Sequence, residues 1–276
     1  EAEAICFFKD LMMGKLTDTQ AKTVLILLRE KGESPGELIA AVSVLRAYEH
    51  RVRVSLPYLV DTCGTGGDGQ GTFNVSTIGA FVAAGAGAHV AKHGNRSVSS
   101  RVGSSDLLQA LGANILAKPS RMVEALEKTG IAYFHAPRYH PILARVHPLR
   151  KSIRGRTIFN LLGPLLNPAG VRRQLIGVPD VRWLPVFGKV LKVLGQEHGF
   201  VVSGAGGTDE ITPFGKTQGV EIRRGGFLKF VLDPQEFGFR GFRPADMKGG
   251  TLATNRRIAL GILRNRIHGG KRAART

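Results

Sequence analysis

Apolar positions in the first fifty residues recur at helical spacing behind two polar tetrapeptides. Val24, Leu25, Leu27 and Leu28 follow Thr17-Asp18-Thr19-Gln20, and Leu38, Ile39, Val42 and Leu45 follow Ser34-Pro35-Gly36-Glu37. Each tetrapeptide places a hydroxyl where a helix begins and a Gln or Glu three residues on, so two unbonded backbone N–H groups can be satisfied reciprocally. Pro35 suits a first helical position, where no N–H is needed. The pattern predicts helices here and a connector over 51–57. From Tyr58 it changes to short apolar runs separated by glycine-rich turns and helical stretches, the alternation of a mainly parallel sheet. Strands are predicted at 58–60, 89–91, 131–134, 175–178 and 200–202. Helices are predicted at 76–86, 105–111 (capped by Ser104 or Ser105), 120–128 and 183–194. The apolar stretch 157–166, bounded by Pro168, reads as a return to the helical region.

With 276 residues, 43% of them hydrophobic and 22% charged, the chain has the composition of a soluble globular protein with one large or two modest domains. It contains no run of about 18 apolar residues that would suggest a membrane span. The start, Glu1-Ala2-Glu3-Ala4, lacks the basic residues of a secretory signal. Cys6 and Cys63 are too far apart for metal-ligand spacing, and read as reduced thiols of a cytoplasmic protein. The net charge of +18 admits nucleic acid, an anionic membrane surface or a polyanionic small substrate as partner. Seven of those charges (Arg256, Arg257, Arg264, Arg266, Lys271, Arg272 and Arg275) fall in the last 28 residues, where Asp and Glu are absent. The remaining basic residues are scattered without the aromatic interleaving of a single-strand binder.

Four segments carry candidate chemistry. Gly64, Gly66, Gly67 and Gly69 lie between a predicted strand and a helix. Glycines let backbone amides approach an anion, and the following helix dipole favours it. The spacing Gly64-x-Gly66-x-x-Gly69 also fits a dinucleotide fingerprint, but no acid stands in 83–89 to hold a ribose, which argues against that reading. Asn74-Val75-Ser76-Thr77 can cap the helix, donate to phosphate oxygens or hold a hydrated Mg²⁺. Lys92-His93-Gly94-Asn95-Arg96-Ser97-Val98-Ser99-Ser100 follows a strand, placing a run of donors where open α/β sheets bind ligands. Asp209-Glu210 is either a surface pair or a bridge from Mg²⁺ to a diphosphate.

These segments, with Phe159-Asn160-Leu161-Leu162-Gly163-Pro164-Leu165 between the third and fourth, resemble anthranilate phosphoribosyltransferases of tryptophan biosynthesis over nearly the whole chain. Nucleoside phosphorylases share that architecture, but Lys92-His93-Gly94-Asn95 stands where pyrimidine nucleoside phosphorylases carry Ser-Gly-Arg. The resemblance implies a small helical domain (1–55, with a returning segment near 142–168) and a larger α/β domain (56–141 and 169–276). It implies transfer of a phosphoribosyl group from phosphoribosyl diphosphate to anthranilate, with Mg²⁺ as cofactor, in a cytoplasmic homodimer. Leu27, Leu28 and Leu38 would offer the dimer its apolar surface. Position by position, Gly64, Gly67, Asp68, Thr72, Asn74, Ser76, Thr77, Lys92, Asn95, Arg96, Ser97, Ser99, Ser100 and Ser104 would hold phosphoribosyl diphosphate. Gly64, His93, Asn95, His140 and Arg150 would surround anthranilate, and Ser76, Asp209 and Glu210 would serve the metal; no general acid or base is assigned. Two departures stand out. Relatives continue about fifty residues further, so this chain reads as lacking C-terminal helices over its sheet. They also carry His-Gly and a more acidic stretch in place of Ser203-Gly204-Ala205-Gly206-Gly207-Thr208. The competing expectations are a weakly active relative that only binds ligand, and a basic nucleic-acid binder.

Overall fold

A computed structural model describes residues 2–96, 101–223 and 226–266. Three helices open it: α1 (Ala2–Met13), α2 (Asp18–Lys31) and α3 (Pro35–Arg46). Both predicted capping boxes form, Thr17 with Gln20 and Ser34 with Glu37. Val24, Leu27 and Leu28 do not share one fate. Leu28 and Leu38 are buried in the core, and of the three leucines expected to serve a dimer only Leu27, 60% exposed, remains at the surface.

The sheet consists of β1 (Val60–Gly64), β2 (Val90–Gly94), β3 (Ile131–His135), β4 (Arg173–Gly177), β5 (His198–Ser203), β6 (Thr217–Arg223) and β7 (Gly226–Leu232). Its order is β3-β2-β1-β4-β5-β6-β7; the first five strands are parallel and the last two form an antiparallel hairpin. The strand order turns outward on either side of β1 and β4, so loops leaving their carboxyl ends diverge and open a crevice. Helices α4 (Val75–Gly85), α5 (Ser104–Ala110), α6 (Pro119–Thr129), α10 (Trp183–Val193) and α11 (Leu252–Leu263) cover the sheet. Short helices α7 (Ala136–Tyr139), α8 (His147–Ser152) and α9 (Phe159–Leu162) lie between β3 and β4.

The predicted strand 58–60 begins two residues later and runs to Gly64, and 89–91 becomes 90–94. Polar residues continue both strands because their partners are distant in sequence. Asp61 Oδ2 accepts from Asn167 Nδ2 at 2.8 Å, its Oδ1 accepts from the His93 N–H at 3.2 Å, and Asn167 also donates to the Ala91 carbonyl at 2.7 Å. The cap of α5 is Gly103 in place of either serine, and the Asp106 carboxylate accepts the Gly103 N–H at 3.0 Å. The hairpin β6–β7 and helix α11 were not anticipated by the hydrophobic pattern.

One core runs from the N-terminal helices through Ile158, Phe159, Leu161 and Leu165 to Phe187 on α10 and to Ile176 and Val201 in the sheet. Fully buried side chains such as Leu38 and Phe187 contribute about 2–3 kcal/mol each. A second core of Phe73, Ile78, Leu107, Met247, Ile258 and Ile262 joins α4, α5 and α11. The seam of the first core carries a buried ion pair. Glu33, between α2 and α3, accepts two hydrogen bonds from Arg156 at 2.6 and 2.8 Å, and the same guanidinium lies over the Trp183 ring at 4.9 Å. Breaking such a pair strands a buried charge, so it fixes the approach to Phe159 and Asn160 on the adjoining stretch. Among the described residues no helix is long and apolar enough to cross a membrane.

Candidate active site

A cleft of about 740 Å³ opens at the carboxyl ends of β1 and β2, with residues of α8 and α9 also lining it. The glycine loop enters it directly from β1. Gly66, Gly67, Gly69 and Gly71 all have φ between 61° and 80°, a region closed to most side chains. Gly66 N–H donates to Asp209 Oδ2 at 2.7 Å, and Asp68 Oδ1 accepts the Gln70 N–H at 3.0 Å. The N–H groups of Gly67, Asp68 and Gly69 have no acceptor among the described residues, leaving them for an anion.

Two further glycines make room for the acidic pair. Gly64 ends β1 and Gly177 ends β4, and they are register partners. A Cβ on Gly64 would stand 2.2 Å from Asp209 Oδ2, and one on Gly177 would stand 1.6 Å from the Asp209 carbonyl oxygen. Burial, and then the Asp68 carboxylate, push the Asp209 carboxyl up to about 6. Glu210 is raised well above its ordinary value by burial and by Asp209, against the pull of Lys92 and of the Ser76 N–H that donates to it. Asp68 Oδ2 is buried without a partner among the described residues. Three acids held together in this way fit a divalent cation, which would remove their mutual repulsion. Among the described residues no three side chains converge as a complete cation cage. Mg²⁺ needs none, since it commonly takes one or two carboxylates and completes its shell with water and substrate phosphate.

Lys92 is a strand residue, 3% exposed. Its Nζ donates to the Thr62 carbonyl at 2.5 Å and reaches Ser76 Oγ at 3.5 Å, so it stands behind the cleft wall as a fixed positive charge between Asp61 and Glu210. Asn74, at the start of α4, makes no cap bond; its Nδ2 donates to the Val102 carbonyl at 3.0 Å. Thr77 is buried beside it, and Thr72 forms a bridge with Lys248. Asn95 accepts the Arg96 N–H at 2.7 Å, whereas the Arg96 guanidinium is turned to Asp106 at 2.5 Å and Gln109 at 2.6 Å. Ser104 Oγ lies 3.1 Å from the Asn95 carbonyl and 2.9 Å from the Tyr133 hydroxyl. Gly64, Gly67, Asp68, Thr72, Asn74, Ser76, Thr77, Lys92, Asn95, Arg96 and Ser104 thus all line one cleft. Ser97, Ser99 and Ser100 lie outside the described residues.

His93, His140 and Arg150 line the same cleft. His93 Nδ1 faces the Gly163 carbonyl at 3.1 Å and His140 Nε2 faces the Leu166 carbonyl at 2.7 Å, so both of those nitrogens carry the proton. The remaining nitrogens, His93 Nε2 and His140 Nδ1, are buried lone-pair acceptors without partners. The two rings meet edge to face with centroids 5.5 Å apart. Burial, then His140, bring the His93 imidazole down to about 3. Arg150 pairs with no carboxylate among the described residues; it stands 5.5 Å over the Phe159 ring, its acidity increased by burial. The Cys63 thiol, pushed up to about 12 by burial, is no nucleophile at neutral pH.

The neutral state of His93 makes stability depend on pH. Its folded value lies below the ordinary 6.5, so the unfolded chain takes up the proton first and stability falls as pH drops from about 6.5 towards 3. The slope is about 1.4 kcal/mol per pH unit. Urea unfolding at pH 7.5 and 5.0 should therefore show the wild type losing about 2 kcal/mol more than His93→Gln on acidification. Equal losses would mean that His93 is solvated.

Sequence reasoning missed Phe159, Asn160, Lys248, Gly249, Gly250 and Asn255, which also line the cleft. The first two stood in a stretch read as an apolar return and as part of the resemblance, with no site role given to either. The other four lie at the edge of the basic C-terminal region, which drew attention to its charge alone.

An anion-binding cleft of this build, at the carboxyl edge of a mainly parallel sheet, is that of a glycosyl transferase: residues 56–274 match the family model described as glycosyl transferase family, a/b domain. An anthranilate phosphoribosyltransferase of Anaeromyxobacter sp. (strain K) is 46% identical over 273 residues, covering 99% of this chain and 80% of the relative. One from Methanosphaerula palustris is 45% identical over 255 residues, covering 92% of this chain and 75% of the relative. Among solved structures, the Thermus thermophilus enzyme superposes with a TM-score of 0.92 at 39% identity, covering 99% of this chain and 82% of that one. The Saccharomyces cerevisiae enzyme in complex with PRPP and Mg superposes with a TM-score of 0.86 at 29% identity, covering 97% and 76%. The chain belongs to the anthranilate phosphoribosyltransferase family.

Proposed function

We propose that this chain transfers the phosphoribosyl group of phosphoribosyl diphosphate to the amino nitrogen of anthranilate, releasing diphosphate. The observation that carries the reading is one cleft lined by two chemically distinct sets of groups. Loop amides without an acceptor among the described residues, buried acids and Lys92 make up one set, and Arg150, with no carboxylate partner among the described residues and an aromatic ring beside it, belongs to the other. The helical unit of 1–55 with 142–168 would supply the acceptor end, and the α/β unit the diphosphate end.

The bond from ribose C1 to the diphosphate oxygen breaks with its electron pair going to the leaving group, while the amine lone pair forms the new C1–N bond. The amides of Gly67, Asp68 and Gly69 would hold phosphate oxygens, and the charge of Lys92 behind them favours the anion that departs. Asp209 and Glu210, with Ser76 beside them, would hold Mg²⁺, which when bound neutralises leaving-group charge. Arg150 would hold the anthranilate carboxylate, so the amine is placed by a charged, directional contact. The nitrogen sheds a proton on bond formation. His93 Nε2 and His140 Nδ1 are unpartnered acceptors in the same cleft.

Loss of anthranilate fluorescence in the presence of phosphoribosyl diphosphate and Mg²⁺ tests the reading directly. No consumption at micromolar enzyme would end it. For the metal pair, Asp209→Asn combined with Glu210→Gln should lower turnover by about 100-fold or more and raise the Mg²⁺ concentration for half-maximal rate about tenfold. An unchanged Mg²⁺ titration would remove both residues from that role.

A further inference from the structure

The far side of the glycine loop is closed by a segment distant in sequence. Phe73 N–H donates to the Met247 carbonyl and Gly249 N–H to the Gly71 carbonyl, both at 2.9 Å, and Lys248 Nζ donates to the Gln70 carbonyl at 2.5 Å. Helix α11 starts immediately afterwards with Thr251 as its cap. One turn in, Asn255 is 3% exposed and lines the cleft. Its Nδ2 donates to two carbonyls, Gly250 at 3.2 Å and Thr251 at 3.0 Å. Both of those partners can only accept, so the amide orientation is fixed and Oδ1 is the free end. That oxygen is buried without a partner among the described residues. Gly249 leaves space for it: a Cβ there would stand 2.9 Å from Asn255 Oδ1 and 3.0 Å from the backbone of Phe73. Asn74, the next residue after Phe73, presents a second buried and unpartnered Oδ1 to the same cleft.

A buried amide oxygen with no donor costs about 1–3 kcal/mol, and it cannot bind a phosphate, which has only acceptors to offer. It calls for an O–H or N–H donor. We propose that Asn255 Oδ1 accepts a hydrogen bond from a hydroxyl of the pentose ring, making Asn255 a sugar-recognising residue of the transfer reaction, with Asn74 Oδ1 as acceptor for the neighbouring hydroxyl. This rests on the phosphoribosyl reading of the cleft. The loop amides fix the phosphates, the two amide oxygens fix the ring between them, and C1 is thereby presented towards the acceptor end.

The test is inhibition of turnover by ribose 5-phosphate, 2-deoxyribose 5-phosphate and 3-deoxyribose 5-phosphate, each with Mg²⁺, on wild type and Asn255→Leu. In the wild type each missing hydroxyl should weaken inhibition about tenfold. Asn255→Leu should abolish the preference for one hydroxyl and keep the other. Comparing sugars within one variant cancels any loss of stability. Equal weakening of all three sugars by Asn255→Leu would mean that the residue only shapes the turn, and overturns the proposal. So does a shifted Mg²⁺ requirement with sugar preference intact, which would assign the donor to metal-bound water. A wild type indifferent to both hydroxyls overturns it without any variant. If phosphoribosyl diphosphate itself fails to bind the wild type, the phosphoribosyl reading falls and this inference with it; binding without hydroxyl preference sinks this inference alone.

Discussion

Gly177→Ala should cripple turnover while leaving most of the sheet intact. A methyl group at the end of β4 would sit 1.6 Å from the carbonyl oxygen and 2.5 Å from the carbonyl carbon of Asp209, where real contacts are never under 3.0 Å. One backbone or the other must move by more than 1 Å, because neither can rotate away as a side chain would. The moving part is the short turn that carries Asp209 and Glu210, since β4 is held by a ladder on both sides. A displacement of about 1 Å at a reacting centre costs on the order of 100-fold, and two carboxylates move together here. We expect a loss of about 10³-fold in kcat/KM, with a fall in Tm of several degrees from strain. Retained turnover would mean that the carboxylates are not held by this turn. Gly64→Ala meets only the end of the Asp209 side chain, at 2.2 Å, so its damage should be smaller. The order of the two defects is itself a check on the geometry.

Arg150→Ala is the second large effect, and it should be confined to one substrate. The guanidinium has no carboxylate partner among the described residues, and its neighbour is the Phe159 ring. Charge-assisted hydrogen bonds contribute about 1.5–3 kcal/mol each. Losing both arms of a carboxylate clamp should raise KM for anthranilate about 100-fold and leave that for phosphoribosyl diphosphate within about threefold. Arg150→Lys keeps charge but not the planar fork, and should recover only part of the affinity. Equal changes in both Michaelis constants would show a general distortion of the cleft.

How much of this could be read in the sequence depended on the distance between partners. The boxes at Thr17 and Ser34 were legible because both halves of each hydrogen-bonded pair lie within four residues. The glycine loop was legible because a run of positive-φ residues needs glycines whatever surrounds it. Strand limits were misplaced where polar residues sit inside the sheet. Asp61, Lys92 and His93 look like loop residues until Asn167, Thr62 and Gly163 come to meet them. Arg96 read as a phosphate ligand, but Asp106 and Gln109 on the following helix claim its guanidinium. Helix α11 was hidden by its own charge: Arg256 and Arg257 suggested a tail, although Ile258, Ala259 and Ile262 lie buried against Phe73 and Leu107. One of those arginines, Arg256, is spent on the Ala110 carbonyl at 2.8 Å.

The pairing of Gly71 and Phe73 with Met247 and Gly249 also bears on the order in which the molecule can become functional. The anion-binding turn is made early during synthesis, yet the segment that braces it emerges about 175 residues later. At ribosomal rates of about 5–20 residues per second the turn waits roughly ten seconds or more before its brace exists. Until then the parallel strands can pair while the turn stays slack, so ligand affinity should arise as a late event in biogenesis, after the last strand of the sheet has emerged.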